Sequence, residues 1–250
     1  MKWTAALVLA LAMLAVAGLV FGTSEVGSSA ITRLWANDNP ACSAAYVRHP
    51  VTGAASTEYH AWLLSAGHCA EATVVQRDAN SAVSALVNWQ IVYNAGAHGT
   101  RRVDFAFGSV PEIRERTTDL WWAETMPTEG VVYMHGFPMG IERVSLGQVL
   151  PRELSARYPL DQVPEAAVLV AFDREILPGS SGSPVLDARN RVVGVVWGLM
   201  DKETSDRLLV EIMGGNPDRL ALVLVTPVES ILPEIRRQFR AVSAEVPRDN

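Results

Sequence analysis

The sequence predicts an all-β fold built in two halves, and three observations carry that reading. Short runs rich in β-branched and aromatic residues recur along the chain, turn residues separate them at roughly ten-residue intervals, and strands do not alternate with helical pattern. This is the signature of a β-sandwich or barrel. The first half contains Ala44–Val47, Glu58–Leu64, Ala72–Gln76, Ala82–Trp89 and Val103–Phe107. The second contains Val131–Met134, Arg143–Leu150, Ala167–Phe172, Pro184–Leu186, Val192–Trp197 and Ala221–Val225. The more polar stretch Ser109–Gly130, punctuated by Pro111, Pro127 and Gly130, is the natural connection between them. A helix is expected to close the chain. Thr226-Pro227-Val228-Glu229 reads as a capping box with proline at the first helical position, and Ile231, Ile235, Phe239 and Val242 follow at helical spacing. Pro233 removes a hydrogen bond inside that pattern and predicts a kink or a late start.

Composition bounds the class of protein. A chain of 250 residues that is 49% hydrophobic can bury a substantial core as one domain or two small ones. The net charge of −6 is spread without long acidic or basic blocks, which argues against nucleic acid as a partner. The amino terminus reads as a targeting segment over residues 1–30. Lys2 precedes an uncharged run from Trp3 to Phe21, and Ala15-Val16-Ala17 or Ser28-Ser29-Ala30 offers a cleavage site for a secretory signal. At about 1.5 Å per residue the same run is long enough to serve as an uncleaved membrane anchor. In either case the positive end stays inside and the remainder is exported, so the protein is expected to be secreted or periplasmic. Export places Cys42 and Cys69 in an oxidising compartment, where an even pair is read as a disulfide, with two buried thiols as the alternative.

Three segments carry chemistry. Pro178-Gly179-Ser180-Ser181-Gly182-Ser183-Pro184 is a small-residue loop that can seat a serine nucleophile among inward-turned backbone amides. Leu63-Leu64-Ser65-Ala66-Gly67-His68-Cys69 puts a histidine at the end of an apolar run. Val103-Asp104-Phe105-Ala106-Phe107 frames an aspartate with apolar residues, implying the burial that an orienting carboxylate requires. The order His68, Asp104, Ser181 is the chymotrypsin-like order of a catalytic triad. His49, His60, His98 and His135 lack an equivalent setting, although His60 shares the strand run of His68 and is the rival base; Asp78 and Asp119 stand among polar neighbours and are expected to be solvated.

With these residues the sequence resembles the trypsin-like serine peptidases over roughly residues 40–240, and most nearly their bacterial glutamyl endopeptidase (V8-like) and HtrA-like branch. His135-Gly136-Phe137-Pro138 and Val196-Trp197-Gly198 extend the match. The resemblance implies two six-stranded antiparallel β-barrels of the chymotrypsin-like kind within residues 38–240. The first barrel would span about 38–110, the linker about 109–130, the second barrel about 131–226 and a packed helix about 227–242, ahead of a polar tail at 243–250. It also implies that Cys42 pairs with Cys69, closing a loop of about 27 residues that contributes about 3 kcal/mol. His68 would be the base, Asp104 its orienting acid, Ser181 the nucleophile, and the Gly179 and Ser181 amides the oxyanion donors. No cofactor or metal is called for, and a monomer acting on protein or peptide substrates is expected.

Two departures from the digestive-enzyme pattern matter. Ser180 replaces the aspartate before the nucleophile, and no Ile-Val-Gly-Gly-like segment precedes the first barrel, so activation by an inserted ammonium has no visible partner. No PDZ domain is expected after residue 240. The substrate pocket is assigned to Glu175, Ile176, Val196, Trp197 and Gly198. Glutamyl endopeptidases carry a histidine where this chain has Val196, which cannot donate to a carboxylate. Glu175 inside the pocket would select basic side chains, whereas Glu175 in solvent leaves a small apolar pocket, the preferred reading. The functional expectation is an exported serine endopeptidase; a catalytically silent binding module and an esterase on the same scaffold are the alternatives.

Overall fold

The computed structural model describes residues 30–37, 39–51, 61–76, 84–94, 103–113, 119–157, 167–173, 176–200, 202–213 and 220–245. The expected export segment, Glu175, His60, His98, Asp78 and the end of the polar tail lie outside them. The first half forms strands β1 (Ile31–Ala36), β2 (Asn39–Val47), β3 (Ala61–Ser65), β4 (Val74–Gln76), β5 (Ser84–Leu86), β6 (Asn88–Tyr93) and β7 (Phe105–Val110). The second forms β8 (Trp121–Trp122), β9 (Gly130–Gly136), β10 (Arg143–Val149), β11 (Val168–Asp173), β12 (Pro184–Leu186), β13 (Arg191–Leu199) and β14 (Leu220–Pro227). Three helices complete the described fold: α1 (Arg152–Arg157), α2 (Lys202–Met213) and α3 (Val228–Glu245).

The expected all-β, two-barrel architecture is present, with seven strands per sheet instead of six. The first sheet runs β5-β4-β1-β2-β3-β7-β6 and stays open as a half-barrel. In the second, the order β12-β9-β10-β11-β14-β13 closes on itself through β12–β13 pairing, and β8 adds to β13 as a parallel seventh strand. Closure removes the unpaired edges that an open sheet exposes. β10 shows how the pattern selects the inner face, with Ser145, Gly147 and Val149 inward while Val144 and Leu146 face solvent. β7 is buried along its whole length, which explains why Phe105-Ala106-Phe107 reads as a continuous apolar run.

Several elements differ from expectation. β1 precedes the expected first barrel, and the run 82–89 divides at Val87, whose N–H turns aside to donate to the Thr73 carbonyl at 2.8 Å. α2 was not expected; its Leu208, Leu209 and Ile212 pack on a cluster with Leu150, Leu169, Leu222 and Leu224. Helix α3 starts at Val228 and continues through Pro233, which lies on its exposed side. The expected capping box does not form in the usual way. Thr226 Oγ1 donates to the Asp104 carbonyl, and Glu229 accepts from the Met126 N–H at 2.9 Å and pairs with Arg152. Among the described residues no helix is long and apolar enough to cross a membrane.

The two halves share a core. Leu186, Val192 and Val195 from the second barrel and Ile231 and Ile235 from α3 pack with Leu34, Leu63, Leu64 and Phe105 of the first sheet. The next turns of α3 hold Phe239 against Trp62, with the rings edge-on at 5.5 Å, and against His49 at 4.5 Å. His49 is 6% exposed and also meets the Trp62 ring at 4.5 Å. The Val51 N–H donates to its Nδ1 at 3.3 Å, as suits a neutral ring. Burial holds its pKa below the ordinary histidine range.

A depressed folded-state pKa means that, below the unfolded value of about 6.5, the unfolded chain binds more protons than the native one. The contribution of neutral His49 is therefore complete above pH 6.5 and is lost as pH falls through that value toward the folded-state pKa. The difference in Tm between pH 8 and pH 5 should shrink in His49→Leu relative to the native chain; an equal difference in the two proteins would remove His49 as the source.

Candidate functional site

The strand register brings His68 and Asp104 together. β3 and β7 pair antiparallel with Ser65 opposite Ala106, so the chain leaving β3 and the chain entering β7 meet at one end of the sheet. Gly67–Glu71 forms a 3₁₀ turn there. The Gly67 N–H donates to Asp104 Oδ1 at 2.6 Å, and His68 Nδ1 lies 3.3 Å from the same oxygen. Asp104 is fully buried, while the His68 side chain is 36% exposed. An ionised carboxylate can only accept, so this contact assigns the proton to Nδ1 and leaves the Nε2 lone pair available.

Ser181 stands on the turn before β12. The Ser180 N–H and Oγ both donate to the Leu177 carbonyl, at 3.1 and 2.8 Å, and the Ser183 N–H returns to the Ser180 carbonyl at 3.0 Å. The Gly182 N–H then reaches the Val196 carbonyl at 2.8 Å, locking the turn to β13. Gly179 has φ of +96° and Gly182 of +81°, a region where side chains are strained. A Cβ at Gly182 would also lie 2.1 Å from both the Ser43 carbonyl oxygen and Ser65 Oγ, so only glycine permits the loop to touch the first sheet this closely. Ser181 Oγ donates to the Trp197 carbonyl at 3.4 Å, and no hydrogen bond joins it to His68 among the described residues. The Gly179 and Ser181 N–H groups donate to no acceptor among the described residues.

A covalent link and a hydrogen bond connect the two sides. Cys42 and Cys69 form the expected disulfide, with Cα atoms 6.1 Å apart. Cys69 follows His68; Cys42 precedes Ser43, whose N–H donates to the Ser181 carbonyl at 2.8 Å. Cys42, His68 and Cys69 bring donor atoms within 4.8 Å of one another, but the two sulfurs are bonded to each other and cannot become the thiolates that ligate metals, which leaves only the imidazole.

The assigned pocket residues divide by depth. Ile176 and Val196 pack in the second-barrel core beside Met126, Val170 and Phe172. Trp197 and Gly198 are partly exposed, and Trp197 lies against the cluster beneath α2. The rival residues sit apart. His135 is buried with Nε2 2.8 Å from Glu142, His49 lies in its aromatic cage, and Asp119, expected to be solvated, is buried beside Leu120 where the chain crosses between halves. Sequence reasoning missed Ser43 and Thr226. Both act through contacts more than a hundred residues away in the chain, Thr226 by donating to the Asp104 carbonyl at 2.9 Å and Ser43 to the Gly179 carbonyl.

The family model of the trypsin-like peptidase domain matches residues 45–195, more than half of the chain and inclusive of His68, Asp104 and Ser181. The chain belongs to the trypsin-like peptidase domain family. No curated protein matches it in sequence. This trypsin-like domain is similar to kallikrein-related peptidase 10, with a TM-score of 0.58 at 14% identity, covering 88% of this chain and 100% of that one. It is also similar to an inactive serine-to-alanine mutant form of Rv3671c from M. tuberculosis H37Rv, with a TM-score of 0.52 at 14% identity, covering 92% of this chain and 95% of that one. Both likenesses are of fold.

Two stability measurements check this assembly. Gly182→Ala combines positive φ with backbone overlap and should cost about 3 kcal/mol, whereas Gly198→Ala, with nothing within 4 Å of its Cβ, should change stability by less than about 0.5 kcal/mol. Reducing the disulfide, or Cys42→Ser with Cys69→Ser, should lower unfolding free energy by about 2–5 kcal/mol in denaturant titration.

Proposed function

We propose that this trypsin-like domain is an exported serine endopeptidase of the bacterial V8-like and HtrA-like branch, acting as a monomer on protein or peptide substrates through His68, Asp104 and Ser181. The observation that carries the reading is the approach of the His68 imidazole to a fully buried carboxylate at 3.3 Å, which supports Nδ1 as donor and Nε2 as base. The Ser181 hydroxyl turns from the Trp197 carbonyl to Nε2, gives up its proton and attacks the scissile carbonyl carbon. The resulting oxyanion is met by the Gly179 and Ser181 N–H groups. Collapse breaks the peptide C–N bond, and His68 returns the proton to the leaving amine. Water, deprotonated by the same imidazole, then hydrolyses the acyl-enzyme and frees Ser181. Asp104 holds the tautomer and stabilises the imidazolium. Export is supported by the Cys42–Cys69 disulfide, which persists in oxidising compartments.

We further assign the pocket before the scissile bond to a small apolar side chain. Ile176 and Val196 carry only hydrocarbon side chains, and neither can donate to a substrate carboxylate.

Labelling by a fluorophosphonate probe tests the chemistry. The expected result is one label per folded, processed molecule, none in Ser181→Ala, and a kcat about 10⁴-fold lower in Asp104→Asn through the wrong imidazole tautomer. Folded protein that takes no label would instead make the chain a binding module on a peptidase fold. A peptide library tests the pocket. Cleavage after small apolar residues is expected; strong cleavage after Arg or Lys that collapses in Glu175→Gln would reverse the assignment, as would cleavage after Glu.

A further inference from the structure

The proposed oxyanion donors lie on a loop whose pivot, Gly179, has the softest backbone of any residue type. Neighbouring groups must therefore fix each peptide plane around it. A trans peptide carries its C=O and N–H on opposite sides, so anchoring one aims the other. The Met139 N–H donates to the Pro178 carbonyl at 2.7 Å, which aims the Gly179 N–H the other way. The Ser183 N–H on the Ser180 carbonyl does the same for the Ser181 N–H. Between these two planes lies the Gly179–Ser180 peptide, and its carbonyl accepts from Ser43 Oγ at 2.8 Å.

Ser43 is fully buried and uses every polar group it has. Its hydroxyl also accepts from the Phe137 N–H at 2.8 Å, so one oxygen joins the Gly179 carbonyl to the turn that carries Met139. Its own N–H donates to the Ser181 carbonyl at 2.8 Å, and its carbonyl accepts from Ser65 Oγ at 2.8 Å, three residues before His68. In trypsin-like enzymes activated by cleavage, an ammonium pairs with an aspartate at the position held here by Ser180. In this chain the Ser180 hydroxyl is turned back onto Leu177 within its own turn.

We propose that the Ser43 hydroxyl is the positioning residue of the oxyanion loop. It holds the Gly179–Ser180 peptide from the first sheet, and the loop is thereby formed without a charged clamp. This rests on the reading of Ser181 as nucleophile. Ser43 touches no substrate atom; it acts by keeping Gly179 from rotating. Removing the hydroxyl leaves the Gly179 carbonyl and the Phe137 N–H without that partner. The Gly179–Ser180 plane then keeps only the Ser180 N–H on the Leu177 carbonyl, and the turn that brings the Met139 N–H to the Pro178 carbonyl loses its Ser43 tie to the loop, so the Gly179 N–H is held less firmly.

The test compares the native chain with Ser43→Ala by crystallography of the free proteins and by kinetics. The expected result is a displaced Gly179 carbonyl or a turned Pro178–Gly179 peptide in Ser43→Ala. Its kcat should fall about 10- to 100-fold with KM within about 3-fold, and a peptide boronic acid, which mimics the tetrahedral intermediate, should lose affinity in the same proportion. Should Ser43→Ala not fold, Ser43→Thr and Ser43→Val, equal in volume, isolate the hydroxyl: Thr is expected to keep loop order and turnover, and Val to lose both. A loop unchanged by loss of the hydroxyl, or a kcat unchanged with the loop displaced, overturns the proposal. A native chain that hydrolyses nothing while Ser43→Ala still rearranges the loop refutes the peptidase reading and leaves the positioning role standing.

Discussion

A carboxylate without solvent contact imposes conditions on everything around it. Removing a charge from water costs several kcal/mol unless the protein supplies donors in its place, and Asp104 is fully buried. Its Oδ1 is met by the Gly67 N–H and faces the His68 ring, so the 3₁₀ turn after β3 must hold both groups toward one oxygen. The backbone of the same residue is held by Thr226 from the end of β14. One residue thus constrains the exit of β3, the entry of β7 and the start of α3. The register of β3 on β7 is tied to the same requirement, because a slip of one residue would carry Asp104 away from the Gly67 N–H and the His68 ring.

The second constraint is the close approach of the two halves. Gly182 brings the Ser181 turn onto Ser43 and Ser65, and the disulfide ties the Ser43 strand to the residue after His68. Backbone hydrogen bonds and shared apolar packing through Leu186, Val195 and Ile231 act across this seam, and the disulfide stiffens its first-sheet side. No single one carries the alignment of the site.

Much of this was legible in the sequence because local pattern and site chemistry coincide. The apolar run before His68 is β3, the apolar frame of Asp104 is the start of β7, and the small residues around Ser181 are the positions where positive φ and close contact occur. The cysteine pairing followed from the family resemblance. Other features were hidden for physical reasons. β1 is a strand of ordinary composition ahead of any motif, and α2 offers only a narrow apolar stripe in a charged segment. Thr226 looked like a helix cap because capping and long-range donation use the same hydroxyl. Ser43 gave no local signal, since its value lies in the Gly179 carbonyl and the Phe137 N–H, and sequence separation conceals both. Asp119 misled for the opposite reason: polar neighbours in the chain do not imply water in space.

The division of the three side chains between the halves has a consequence during biogenesis. His68 and Asp104 flank β3 and β7, while Ser181 precedes β12, so a chain that has folded only its first sheet lacks the Ser181 turn. The second barrel cannot close until β14 has been made, because β11 and β13 both pair with it. The three side chains can therefore be held together only near the end of folding, once β14 is in place. On the peptidase reading proposed above, topology alone would keep a nascent molecule from digesting its neighbours, with no separate inhibitor needed.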